Sequence, residues 1–186
     1  MAKVVIITGS PPPTSRLNGV LDHAEEQLSK KGLEISWIRV RDLPPEDLLH
    51  AKFDSEAIVK AASLVEQADA VLVATPVYKA SFTGILKAFL DLLPQKGLAG
   101  KIVFPLAIGG TVAHLLVIDY ALKPVLSALG ANVLLPGVYI LDNQVTVQEG
   151  GKVGLAEEVG TRLHGAIEQF DNEISWHIRK KISEVV

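Results

Sequence analysis

The chain has 186 residues, a formal net charge of −3, 48% hydrophobic residues and a mean hydropathy of +0.31. That length suits a single domain with a full core, and the apolar balance suits a parallel sheet buried on both faces. The charge argues against a nucleic-acid or anionic-membrane binder, and the lack of cysteine excludes disulfides, Fe–S clusters, thiolate zinc sites and cysteine nucleophiles.

Apolar runs alternate with amphipathic stretches in βαβα order. The first strand is expected over Lys3–Thr8. Its apolar run, Val4–Ile7, is too short for a signal-peptide core or a membrane span, so a cytoplasmic location is expected. A loop from Gly9 to about Arg16 leads into a helix over Leu17–Lys31, stopped by Gly32. Leu33–Val40 is the second strand, and Pro44-Pro45 prevent regular helix throughout Arg41–His50. Ser55–Gln67 is helical with Ser55 as N-cap, and Ala70–Thr75 is an apolar third strand.

Pro76–Thr83 is expected as a loop, followed by a helix over Gly84–Leu93 that Pro94 stops. Ile102–Ile108 is the fourth strand, although Pro105 is awkward inside a central strand. A long apolar helix is expected over Val112–Leu129, then a fifth strand over Val133–Ile140 interrupted by Pro136-Gly137. Gly150-Gly151 reads as a loop, and the tail from Leu155 as mostly helical. Five strands at this length favour a doubly wound sheet of order 2-1-3-4-5 over a six-stranded dinucleotide fold.

Ligands of such sheets bind beyond the carboxyl ends of the strands. Three loops there carry the unusual residues. The first holds Ser10, Thr14, Ser15 and Arg16 ahead of a helix N-terminus, where free N–H groups and the helix dipole favour a phosphate. A turn with a Ser or Thr N-cap explains the same residues equally well. The loop has neither G-x-G-x-x-G nor G-x-x-x-x-G-K-[ST], so a phosphomonoester suits it better than a pyrophosphate.

In the second loop Pro76 is expected to end the strand and expose the backbone of Val77, Tyr78 and Lys79 to the edge of a flat heterocycle. Tyr78 and Phe82 as plain packing residues is the alternative. In the third, Gly109-Gly110-Thr111 lets the backbone approach a ligand, or simply turns the chain. His114 reads as a capping or packing histidine. Pro124 removes an N–H and meets the carbonyl of Tyr120, which predicts a kink or π-bulge around Tyr120. The five histidines lack H-x-x-x-H spacing, so no metal site is expected, and no G-x-S-x-G supports a hydrolase.

These residues resemble the NAD(P)H-dependent FMN reductase family, and more narrowly the flavin reductase component of two-component alkanesulfonate monooxygenase systems. The resemblance rests on Ala74–Gly84, on Gly109–Leu116 and on its continuation Asp119–Leu126; it extends to about Ile140 and weakens in the tail. It implies a flavodoxin-like fold and one reductase domain over residues 1–186. The first loop, Ser10 through Leu17, would hold the FMN phosphate, while Pro76–Lys79 and Gly109–Thr111 would hold the isoalloxazine ring. Where the family commonly has arginine and serine in the first loop, this chain has Pro12 and Leu17, which lowers the expected hold on phosphate.

The resemblance further implies NADH or NADPH as hydride donor and reduced FMN passed to a flavin-dependent monooxygenase. It also implies a homotetramer in which Tyr120 lies near the flavin of a neighbouring subunit. No side chain is assigned a catalytic role, since the cofactors carry the chemistry. The rivals are an FMN-bound azo or quinone reductase, a flavodoxin-type electron carrier and a flavin-free interaction domain.

Overall fold

In the computed structural model, which describes residues 1–148 and 153–183, a parallel sheet is layered between helices. The Gly150-Gly151 loop expected from the sequence lies outside the described residues. In chain order the elements are β1 (Lys3–Thr8), α1 (Arg16–Lys30), β2 (Glu34–Arg39), α2 (Pro45–Leu49), α3 (Glu56–Gln67), β3 (Ala70–Tyr78), β4 (Ser81–Phe82) and α4 (Gly84–Leu90). They continue with β5 (Ile102–Gly109), a π-helical segment (Ile118–Leu122), α5 (Lys123–Ala128), β6 (Val133–Leu134), β7 (Val138–Leu141), the hairpin strands β8 (Val145–Val147) and β9 (Val153–Leu155), and α6 (Glu157–Ser183).

The sheet order is β2-β1-β3-β5-β6, with β7 continuing beside β5 and β4 paired to β3. Setting aside the small β4 and counting β6 and β7 as one interrupted strand, this is the expected 2-1-3-4-5 flavodoxin-like order. Val4–Ile7 of β1, Ala70–Thr75 of β3 and all of β5 are buried, as strands covered on both faces must be. On one face α1 and α6 pack their apolar stripes, Leu17, Val20, Leu21, Ala24 and Leu28 against Val159, Leu163, Ile167 and Phe170, over Ile6, Leu72 and Phe104. The rings of Phe104 and Phe170 lie 5.5 Å apart between centroids. On the other face α3, α4 and α5 cover Val5, Val71, Val73 and Val103.

Pro105 does sit inside β5, paired with Val73. The ladder on its other side is interrupted there: three residues, Leu135–Gly137, face two, Phe104 and Pro105, between the pairs Val103–Leu134 and Leu106–Val138. That bulge is why a strand-interior proline is tolerated and why the fifth strand is split into β6 and β7.

Other expectations need correction. Pro76 does not end the third strand. It pairs with Ile108, and β3 runs on to Tyr78 before turning back through β4. A proline is tolerated in a strand wherever its missing N–H is not needed by the ladder. The stretch 112–129 is not one helix but a 3₁₀ turn over Val112–His114, the π segment and α5. Ser55 is the N-cap residue of α3, but its side chain makes no cap bond; its hydroxyl donates to Asp47 instead. The fourth helix ends at Leu90, three residues before the expected Leu93. The β8–β9 hairpin ahead of the tail helix was not expected at all. Among the described residues no helix is long and apolar enough to cross a membrane.

Candidate flavin-binding rim

The carboxyl ends of β1, β3, β5 and β7 meet at one edge of the sheet, and hydrogen bonds lock their turns together. Gly9 N–H donates to the carbonyl of Ala74 at 2.8 Å, and Thr83 Oγ1 donates to the carbonyl of Gly9 at 2.7 Å. Thr83 N–H in turn donates to Thr75 Oγ1 at 3.1 Å. A Cβ on Gly9 would stand 2.6 Å from the Leu86 Cβ, so glycine is required there by close approach to α4.

The first turn is organised around two serines. Ser10 is buried, and its hydroxyl donates to Ser15 Oγ at 3.0 Å. Ser15 caps α1 by accepting Asn18 N–H at 3.1 Å. With both acceptor positions of Ser15 Oγ engaged, its proton is left to donate outward. Arg16 is held by its Nε, which donates to the carbonyl of Val145 at 3.1 Å. That bond ties the first turn to β8. A hydroxyl donor, a guanidinium and the N-terminus of a 15-residue helix therefore converge, an arrangement whose chemistry suits an anion.

The second turn is a two-residue hairpin. Lys79 and Ala80 at its tip have φ of 50° and 64°, a left-handed conformation that side chains other than glycine adopt at some cost. Tyr78, at the base of the tip, is 50% exposed. The third turn is backed by Tyr139, whose hydroxyl donates to the carbonyl of Thr111 at 2.7 Å. Burial, and secondarily the charge of Asp142, push the Tyr139 phenol above its ordinary value.

These turns enclose a cavity of about 230 Å³ lined by Ser10, Ser15, Arg16, Leu17, Pro76, Val77, Tyr78 and Gly109, together with Pro12, Ile108 and Asp142. A larger depression of about 860 Å³, lined by Phe53, Ile58, Leu92 and Lys101 among others, lies toward the opposite edge of the sheet. Size alone would choose that one. The convergence of hydroxyls, a cation and a helix N-terminus chooses the smaller rim cavity.

Five of the expected residues do not line this cavity. Thr14 is exposed in the first turn. Lys79 projects from the hairpin tip, and Gly110 is exposed beside Asp142. Thr111 caps the 3₁₀ turn by accepting Ala113 N–H at 3.2 Å. Tyr120 is 79% exposed on the π segment. The expectation of open backbone after Pro76 is also modified, since Val77 and Tyr78 pair with Phe82 and Ser81.

Reading the sequence alone missed Asp142 and Tyr139. The strand-end argument applied to the first, third and fourth strands extends to the fifth and would have reached Asp142, just beyond β7. No sequence signal marks Tyr139.

Comparison with known proteins covers the part of the chain that holds these residues. The family model of NADPH-dependent FMN reductase matches residues 2–146, a span that includes every element of the rim up to β8. The chain is 51% identical over 168 residues to an FMN reductase (NADPH) of Pseudomonas putida, covering 90% of this chain and 85% of that protein. It is 47% identical over 168 residues to the FMN reductase (NADPH) of Escherichia coli K12, covering 90% and 87%. Among solved structures it superposes on the apo form of the NADH:FMN oxidoreductase EmoB with a TM-score of 0.84 and 36% identity, over 93% of this chain and 90% of that one. The chain belongs to the NADPH-dependent FMN reductase family.

Proposed function

We propose that this chain, as one domain, reduces FMN with a nicotinamide dinucleotide and releases the reduced flavin. The observation that carries this reading is the joining of an anion-binding turn (Ser10, Ser15, Arg16) to a slot between the Tyr78 hairpin and Gly109 within one cavity. A phosphate fits the first part, and the edge of a flat ring fits the second. The two nucleotides, when bound, would supply the hydride chemistry between them. The side chains bind and orient: Ser15 and Arg16 hold the phosphate, while Val77 and Tyr78 meet the ring. Lys79 and Thr111 flank the slot from their turns.

Relatives are named for NADPH and for NADH alike, so both donors belong in the assay. The small cavity, with apolar Pro12 and Leu17 in its lining, favours FMN as a substrate that leaves over a permanently held group. The proposed recipient of the reduced flavin is a flavin-dependent monooxygenase in the cytoplasm. Val112, Leu115, Leu116 and Tyr120, all exposed, form an apolar strip on and before the π segment. This is the surface on which a homotetramer would assemble, bringing Tyr120 toward a neighbouring subunit's flavin.

The test is a steady-state assay with NADPH or NADH and excess free FMN, beside the spectrum of the purified protein. Many turnovers of free FMN by a protein purified nearly colourless are expected. A protein that keeps its flavin and turns over only with quinone or azo acceptors would replace this reading with the azo or quinone reductase one.

A further inference from the structure

Tyr139 is placed by β7 beneath the third turn of the rim, 6% exposed and opposite Ala107 of β5. Its ring packs with Ala107, Val117 and Ile118, a small cluster that joins the end of β5 to the π segment. Its carbonyl accepts a hydrogen bond from Arg162 Nη2 of α6 at 3.0 Å. Packing alone would be served equally well by phenylalanine. The hydroxyl has a separate task, because it donates to the carbonyl of Thr111 at 2.7 Å, across the turn that begins at Gly109.

Gly109 explains itself from the same atom. A Cβ there would collide with the Tyr139 hydroxyl and come within 3.2 Å of Cζ and 3.3 Å of the Val77 Cβ. Its φ is not in the left-handed region, so backbone conformation does not demand glycine. Gly110, by contrast, has only Asp142 Oδ2 near its Cβ position, at 3.6 Å. The phenol pKa, raised by burial and then by Asp142, keeps the proton on the oxygen as a donor at ordinary pH.

We infer that Tyr139 is a positioning residue for flavin: its hydroxyl, bonded to the Thr111 carbonyl, fixes the turn whose Gly109 lines the cavity, and Gly109 lacks a side chain to make room for that hydroxyl. The inference rests on the FMN reading above. A turn braced by a partly buried side-chain hydrogen bond presents its amides in a narrower set of arrangements, and losing that bond lets the turn relax without emptying the core.

The experiment is a double-mutant cycle on FMN affinity and on KM for FMN, using Tyr139→Phe, Gly109→Ala and both together, with Arg16→Gln as the marker of the rim. Thermal melts establish that each variant is folded. Tyr139→Phe is expected to weaken FMN binding about fivefold to tenfold, the scale of one lost hydrogen bond, while kcat changes little. Gly109→Ala is expected to weaken it at least as much. The double variant is expected to bind no worse than Gly109→Ala alone, because the added methyl takes the space vacated by the hydroxyl.

Wild-type affinity in a folded Tyr139→Phe protein, or losses that simply multiply in the double variant, would overturn the inference. If Tyr139→Phe does not fold, Gly109→Ala carries the test, and wild-type affinity in that variant overturns it. If Arg16→Gln leaves FMN affinity unchanged, the rim reading itself fails and the inference with it. Weakening by Arg16→Gln without any by Tyr139→Phe defeats the positioning role alone.

Discussion

The Thr83 hydroxyl and the Gly9 carbonyl, 74 positions apart in the chain, meet at 2.7 Å in the buried floor of the rim. Thr83 Oγ1 also accepts Leu86 N–H at 3.4 Å as the cap of α4. One side chain thus fixes the first turn, the hairpin and the start of a helix relative to each other. Two of the rim's hydrogen bonds are made by that hydroxyl.

Thr83→Val keeps the shape and removes the hydroxyl, leaving the Gly9 carbonyl without its partner. An unsatisfied buried acceptor together with a lost cap costs about 2–3 kcal/mol. Urea unfolding is the measurement, and FMN affinity is expected to fall with stability. A midpoint equal to that of the wild type would show that the joint is not under load.

Arg16 is exposed, and its Nε is already committed to Val145, so its role toward a ligand is charge at the phosphate end. Arg16→Gln is expected to weaken FMN roughly tenfold, at the lower end for a hydrogen bond to a charged group. Riboflavin, which has no phosphate, is expected to bind both proteins alike. Raising the salt concentration should narrow the difference for FMN. Titration of both flavins at two ionic strengths checks this, and an equal loss for riboflavin would relocate Arg16 away from the phosphate.

Tyr120 is 79% exposed on a π segment that ends just ahead of Pro124, where proline removes the N–H an α-helix would use. Substitution of so exposed a side chain should change the stability of an isolated subunit by less than about 0.5 kcal/mol. Tyr120→Ala is nevertheless expected to shift sedimentation toward smaller species, since the apolar strip would lose its largest member. An unaltered assembly state would remove the π segment from the interface.

The tail helix is fastened to α1 by Lys31, whose Nζ lies 2.6 Å from Glu168 and 3.5 Å from Asp171. The hydrogen bond from Lys31 lowers the Glu168 pKa below its ordinary 4.5, and the bond to Glu168 raises Lys31 above its ordinary 10.5. Glu168 therefore contributes stability that is present above pH 4.5 and lost as pH falls through its lowered folded value. Lys31 contributes stability that is present below pH 10.5 and lost as pH rises through its raised folded value. Glu168→Gln should shrink both losses while leaving the alkaline one partly in place through Asp171. Unfolding curves at acid, neutral and alkaline pH test this, and an unchanged acid limb would contradict it.

The buried strands were legible because short apolar runs such as Val4–Ile7 and Ala70–Thr75 suit strands covered on both faces. Their order was expected from strand number and chain length rather than from any residue. The π segment was legible because Pro124 and Tyr120 conflict through local geometry alone. The continuation of β3 through Pro76 was not, because whether a proline ends a strand depends on the neighbouring chain. The reason for Gly109 was hidden for the same cause: the atom occupying its Cβ space belongs to Tyr139, thirty positions later. The anion corner, Ser10, Ser15 and Arg16, could be read because caps and phosphate sites use the same short polar residues. The β8–β9 pair, which meets Arg16 through the Val145 carbonyl, depended on a tertiary contact that no local pattern announces.

The most direct measurement is a crystal structure of the protein with FMN bound. The phosphate is expected against Ser10, Ser15 and Arg16, with the isoalloxazine between the Tyr78 hairpin and the Gly109–Thr111 turn. Flavin seated in the larger depression by Phe53 and Lys101, or density absent from the rim at saturating FMN, would contradict the account.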